Sequence, residues 1–163
     1  MQLQFLGGVG TVTGSKYLVR TERRQVLVDC GLFQGFKQLR LRNWAPLPVD
    51  LRQLDAVLLT HAHLDHSGYL PLLIRKGFDG PVICTEATRD LCSILLPDSG
   101  HLQEKDAEFA NRHGFSKHRP ALPLYTRADA EAAMASFQPV GFGAPSALGR
   151  GLTALFRPAG HIL

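Results

Sequence analysis

The sequence predicts an α/β (α+β) chain whose mixed, mostly antiparallel sheet is flanked by helices. Three observations carry this. Short apolar runs of strand length recur along the first 85 residues. The first three are separated by turn residues alone, as in an antiparallel meander. After residue 68 they alternate with stretches carrying helix start and stop residues. The 163 residues allow one domain, 1–163, with enough chain for a sizeable core.

Taken in order, Leu3–Leu6 alternates as a first strand, and a glycine-rich turn follows over Gly7–Gly14. That turn matches neither GxGxxG nor a P-loop and ends on no basic residue, so a loop beneath the site is expected rather than a phosphate cradle. Lys16–Val19 and Gln25–Asp29 are the second and third strands, joined by a turn at Thr21–Arg24. Two readings of Asp29, before Cys30–Gly31, stand side by side. It orients a ligand histidine or an active-site loop, or it starts a turn before glycine. Leu32–Arg42 is loop or short helix. Its Arg40 and Arg42, with Trp44, offer charge and stacking to a polyanion, or simply a solvated basic face with one packed indole.

The run Ala56–Leu59 reads as a buried strand, and at its end stands Thr60-His61-Ala62-His63-Leu64-Asp65-His66-Ser67-Gly68. Three imidazoles and a carboxylate within six positions are metal-ligand chemistry. Alternate residues of an extended chain point the same way, so His61 and His63 can grip one ion from one side. Asp65 and His66 lie on the turning loop beyond and can face a second.

Further along, Tyr69–Gly77 has a proline early, basic residues late and a terminal glycine, which predicts a helix. Pro81–Cys84 is a strand. Thr85 is expected to cap a helix stopped by Pro97, and Asp98 or Ser99 to cap another from His101 to about Arg112. His101 then faces the site or is a solvent-exposed or capping residue. His113 and His118 fall in the polar loop His113–Pro120 and are not expected as ligands. Thr126 with Asp129 resembles a helix-start box opening an alanine-rich helix to Phe137. Strands follow over Gln138–Gly141 and Leu152–Phe156. His161 comes directly after Pro158-Ala159-Gly160, which makes a third ligand beside His61 and His63.

Composition narrows the class. Apolar residues at 45% and charged ones at 20% describe a globular chain, not a disordered one. No apolar run reaches the length of a membrane span, and the amino terminus lacks a secretory signal pattern, so no membrane partner is expected and the cytoplasm is the expected compartment. The three cysteines are scattered and unpaired in sequence, which fits reduced thiols and no cysteine-held metal. A formal charge of +4 is compatible with acidic partners such as nucleic acid.

These stretches resemble the metallo-β-lactamase superfamily, whose hallmark HxHxDH is His61–His66. More narrowly, the chain resembles the β-CASP branch of RNA- and DNA-processing nucleases. Gly10–Val19, Leu27–Gly35, Leu58–Leu73, Asp98–Glu104 and Pro158–Leu163 carry that likeness. The resemblance implies the N-terminal half of an αββα sandwich, with the second half and the β-CASP domain absent from the chain. It implies Zn2+, two ions in a complete site. His61, His63 and His161 would hold one, with Asp65 and His66 at the second, and Asp65 is also the catalytic carboxylate. The implied reaction is phosphodiester hydrolysis, on RNA more than DNA. Manganese or iron suits the same ligand types. The aspartate that bridges the metals in such proteins has no counterpart here. The chain is therefore expected to be truncated, to self-associate, or to take its missing half from a partner chain. Two other readings remain: a non-catalytic metal- or nucleic-acid-binding fragment, and a thioester, lactone or β-lactam hydrolase on the same scaffold.

Overall fold

The computed structural model describes residues 1–149 and 151–162. Leu163, the last residue of the fifth stretch named above, lies outside them. Six strands form one sheet in sequence order: β1 (Gln2–Gly7), β2 (Lys16–Arg20), β3 (Gln25–Val28), β4 (Ala56–Leu58), β5 (Val82–Thr85) and β6 (Phe137–Val140). The meander β1–β2–β3 is antiparallel, as expected, and β3 through β6 pair in parallel. A separate antiparallel hairpin joins β7 (Pro145–Gly149) to β8 (Leu152–Leu155).

The sheet is mixed, but three of its five pairings are parallel and two antiparallel, so it is not mostly antiparallel. The reason is connection length. Every link from β3 to β6 is long enough to cross back over the sheet, and such crossovers return strands in parallel. β4 sits centrally, between Val28 of β3 and Ile83 of β5 through its Leu58.

The helices are α1 (Lys37–Leu41), α2 (Leu64–Ser67), α3 (Leu70–Arg75), α4 (Glu86–His113) and α5 (Arg127–Ala133). All but α1, which buries no residue, pack on one face of the sheet. Leu18, Leu27, Val57, Val82 and Cys84 from the strands meet Leu70, Leu73, Cys92, Leu96 and Tyr125 there. Burying a leucine of this kind stabilises by about 1.5–3 kcal/mol. No helix among the described residues is long and apolar enough to cross a membrane.

One expected break is missing. The two helices separated at Pro97 are a single helix of 28 residues, with Pro97 inside it. The proline removes one backbone donor, but the carbonyl it orphans is that of exposed Ser93, which water can reach. Tertiary contacts hold the helix on both sides of it. Leu96 is fully buried, and a Cβ on Gly100 would lie 2.7 Å from the Thr126 backbone. Tyr125 donates from its hydroxyl to Ser99 Oγ at 2.9 Å. The helix starts as expected, with Thr85 accepting from the Thr88 amide. The capping box at Thr126 and Asp129 is also present, although α5 ends at Ala133 and a 3-10 turn leads to β6.

Candidate metal centre

Leaving β4, the chain runs extended through Thr60 to His63, and alternation does what the spacing demands. Ala62 is fully buried, while His61 and His63 project to the open side. His63 then starts α2, its carbonyl accepting the amides of His66 and Ser67 at 2.9 Å each. The segment carrying Asp65 and His66 is thus a single helical turn. Ser67 locks it by donating its hydroxyl to the Ala62 carbonyl at 2.8 Å.

His161 arrives from the other end of the chain. Its Nε2 lies 3.3 Å from His63 Nδ1, and His61 Nε2 lies 3.0 Å from the same atom. One nitrogen from each of the three imidazoles falls within 4.8 Å of the others, a group that can hold a metal ion. Burial is the main reason the His61 imidazole is held below its usual pKa, with neighbouring His66 adding to it. Neutral imidazole is the form that ligates.

Asp65 and His66 form the adjoining pair. Asp65 Oδ2 is 3.6 Å from His66 Nε2, and the His66 ring centroid is 4.1 Å from that of His61. The structure therefore brings all five residues named from the sequence to one place, three in one group and two beside it.

Asp29 resolves into the orienting reading. It is buried at the end of β3 with φ 58°. Its carboxylate accepts the Thr60 amide at 2.8 Å and the Thr60 hydroxyl at 2.9 Å, and its Oδ2 is 2.7 Å from His66 Nδ1. Burial lowers the His66 pKa, but the hydrogen bond and charge of Asp29, with the charge of Asp65, raise it more.

Further backbone contacts fasten the loop. The Cys30 amide donates to the His66 carbonyl at 2.7 Å, the Leu32 amide to the Leu64 carbonyl at 2.9 Å, and the Ser15 amide to the Asp65 carbonyl at 2.9 Å. The glycine-rich turn before Ser15 packs on the 33–34 segment, with Gly14 against Phe33 and Thr13 bonded to Gln34. Gly31 is tightest: a Cβ there would lie 1.6 Å from the Asp65 carbonyl oxygen.

The sequence reading missed Lys16. It is buried, donates from Nζ to the Gly31 carbonyl, and lies 4.6 Å from the centre of the Phe33 ring and 4.8 Å from that of Tyr69. Burial lowers its pKa, with nearby Cys30 opposing and Arg42 adding. Parity was the available signal: Lys16 shares a strand face with Leu18, so an alternating strand points it inward. His101, by contrast, is exposed midway along α4. The three cysteines are buried and unbridged.

On the sheet face opposite the helices, Val28, Leu58 and Thr85 line a cavity of about 720 Å³, closed on the far side by residues 154–162, with His61 and His161 among its lining residues.

Comparison with known proteins gives the family. Residues 9–130 match the family model described as the metallo-beta-lactamase superfamily. A protein of Thermus thermophilus named as a ribonuclease is 38% identical over 99% of this chain and 33% of its own length. A transcription termination factor of Methanocaldococcus jannaschii is 34% identical over the whole of this chain and 24% of its own length. The chain thus spans a quarter to a third of these relatives. Among solved structures, a metallo-beta-lactamase in complex with mercaptoacetic acid has a TM-score of 0.50 at 21% identity, over 91% of this chain and 47% of its own. That likeness concerns the fold alone.

Proposed function

Because the chain belongs to the metallo-beta-lactamase superfamily, we propose that it is the metal-holding part of a nuclease of the β-CASP type, hydrolysing RNA phosphodiesters. The observation that supports this most is the convergence of His61, His63 and His161 within 4.8 Å. Zinc is the proposed metal. Tetrahedral Zn–N bonds of about 2.0–2.1 Å place ligand nitrogens roughly 3.3 Å apart. Two of the three separations, 3.0 and 3.3 Å, are close to that edge, and all three lie within 4.8 Å.

In this reading His61, His63 and His161 hold one ion, and Asp65 and His66 face a second. When bound, the metals supply a nucleophile at neutral pH and neutralise charge on the attacking and leaving oxygens of the phosphodiester. Asp29 fixes the His66 ring so that Nε2, not Nδ1, faces the site. We assign to the Asp65 carboxylate, about a quarter exposed beside the cluster, the task of taking a proton from the attacking water. Relatives named as a ribonuclease and a termination factor favour RNA over a β-lactam or thioester as substrate. We assign the remaining half of the sandwich and the β-CASP domain to a longer protein of this kind, working in the cytoplasm.

Cleavage of a labelled oligoribonucleotide tests the proposal. Cleavage should stop on chelation, return with zinc, and be lost in His63→Ala. Hydrolysis of a β-lactam or thioester with no cleavage of RNA would overturn it.

A further inference from the structure

The far end of α4 carries a cluster that the metal centre leaves unused. Arg112 and His113 close the helix, Gly114 ends it in the left-handed conformation, and Lys117, His118 and Arg119 follow in the loop. Asn111, Arg112, His113, Ser116, His118 and Arg119 line an open cavity of about 500 Å³. Arg112, Lys117 and Arg119 make no ion pair among the described residues. Glu108, one turn before Arg112, is held by Lys105 at 2.9 Å and also feels the charge of Arg112, which leaves Lys117 and Arg119 as the freer cations.

Beside these cations stand aromatic rings open to solvent. Phe115 is 72% exposed and Phe109 55% exposed. The His113 ring lies parallel to Phe115 within 14°, with centroids 5.7 Å apart, and 4.2 Å from Phe109. Basic residues at a helix C-terminus usually complement its dipole. That accounts for Arg112 and His113. It does not account for Lys117 and Arg119 beyond the helix, nor for two large rings left in water.

Unpaired cations around exposed stacking faces are what a single nucleic-acid strand requires: charge for the phosphates, rings for unstacked bases. A duplex hides its bases and would use only the charge. An acidic protein would likewise gain nothing from the rings. We infer that the end of α4 and the loop after it form a second binding site, for single-stranded RNA, apart from the histidine cluster.

The inference rests on the RNA reading above and adds where the strand is held. Cys92 of α4 packs beside Ser67 of the metal loop, and His113 lies 21 residues further on. At 1.5 Å per residue that is roughly 30 Å along the helix. A strand stacked at about 3.4 Å per nucleotide covers it in roughly nine nucleotides.

The test is filter binding on ice, with the metal-loaded full chain and a labelled 20-nucleotide oligouridylate, cleavage product being counted separately. Phe115→Ala should weaken binding about tenfold. The pair Lys117→Glu and Arg119→Glu should weaken it and flatten the salt dependence by about 0.7 for each phosphate no longer neutralised. An RNA duplex of equal length should bind the wild-type chain less tightly and be indifferent to Phe115→Ala. Unchanged affinity and salt slope in the variants would overturn the inference, as would an equal effect on the duplex. Cleavage by the wild-type chain reports on the nuclease reading alone, so the two can fail separately. All three side chains are exposed, and coincident melting curves verify that the variants fold.

Discussion

The Asp29 carboxylate lies 2.7 Å from Nδ1 of His66, 37 residues away in sequence, while also holding the amide and hydroxyl of Thr60. One buried side chain thus fixes both ends of the His61–His66 loop. Asn at this position keeps the shape and tolerates the positive φ, but replaces one acceptor oxygen with a donor. Asp29→Asn should weaken metal binding by about 10–100-fold, read by competition with a chromogenic chelator. Unchanged affinity would mean that Asp29 only shapes the turn.

Gly31 and Gly100 allow two close approaches to be compared. Alanine at 31 would drive Cβ into the Asp65 carbonyl, and alanine at 100 into the Thr126 backbone. Both obstacles are backbone and cannot swing aside. Gly31→Ala should abolish metal binding along with stability, whereas Gly100→Ala should lower the melting temperature and leave metal stoichiometry intact. Equal effects on metal content would show that α4 and α5 shape the site as directly as the 29–32 segment does.

Lys16 gives a pH prediction. Burial depresses its pKa below the 10.5 of a free lysine. Between the folded value and 10.5 the unfolded chain binds more protons, so folding gains stability as pH rises through that window. Below it the full penalty of the buried ammonium is present. Lys16→Met removes this dependence. The melting temperature of the wild-type chain relative to Lys16→Met should therefore climb between pH 7 and 10. A flat difference would mean that the ammonium is not desolvated.

Asp129 has the opposite sign. Burial raises its carboxyl, but hydrogen bonds from Thr126 and the Arg75 guanidinium at 2.8 Å lower it more. Its contribution is present above 3.8, the ordinary value, and disappears as pH falls through the lower folded value. Asp129→Ala should cost about 1 kcal/mol near neutral pH, and the two melting curves should converge in acid. A constant gap down to pH 2 would assign the effect to contacts that survive protonation instead of the carboxylate charge.

Local chemistry made much of this molecule legible in the sequence. The meander through Val28 followed from alternation and turn residues, and the caps at Thr85 and Thr126 from side chains that bond the next turn of backbone. The crowding of His61, His63, Asp65 and His66 announced the site because few other chemistries place those groups so close together. Two features were read wrongly for one reason. Pro97 breaks a helix by local rules, yet the packing of Leu96, Ser99 and Gly100 carries α4 through it. The parallel order of β3 to β6 depends on how crossovers pack, which no single strand records. β7 went unassigned because Pro145–Gly149 lacks the apolar alternation of a strand that is buried on one side. Asp29 could not be assigned from sequence because its partners, Thr60 and His66, are met only in three dimensions.

The most direct test is the metal content of the purified chain, by elemental analysis after zinc loading and desalting. The account predicts at least one tightly held zinc ion per chain, retained in His101→Ala and absent from His63→Ala and His161→Ala. A zinc-free wild-type chain, or one whose zinc survives removal of His63, would contradict a metal centre at these three histidines.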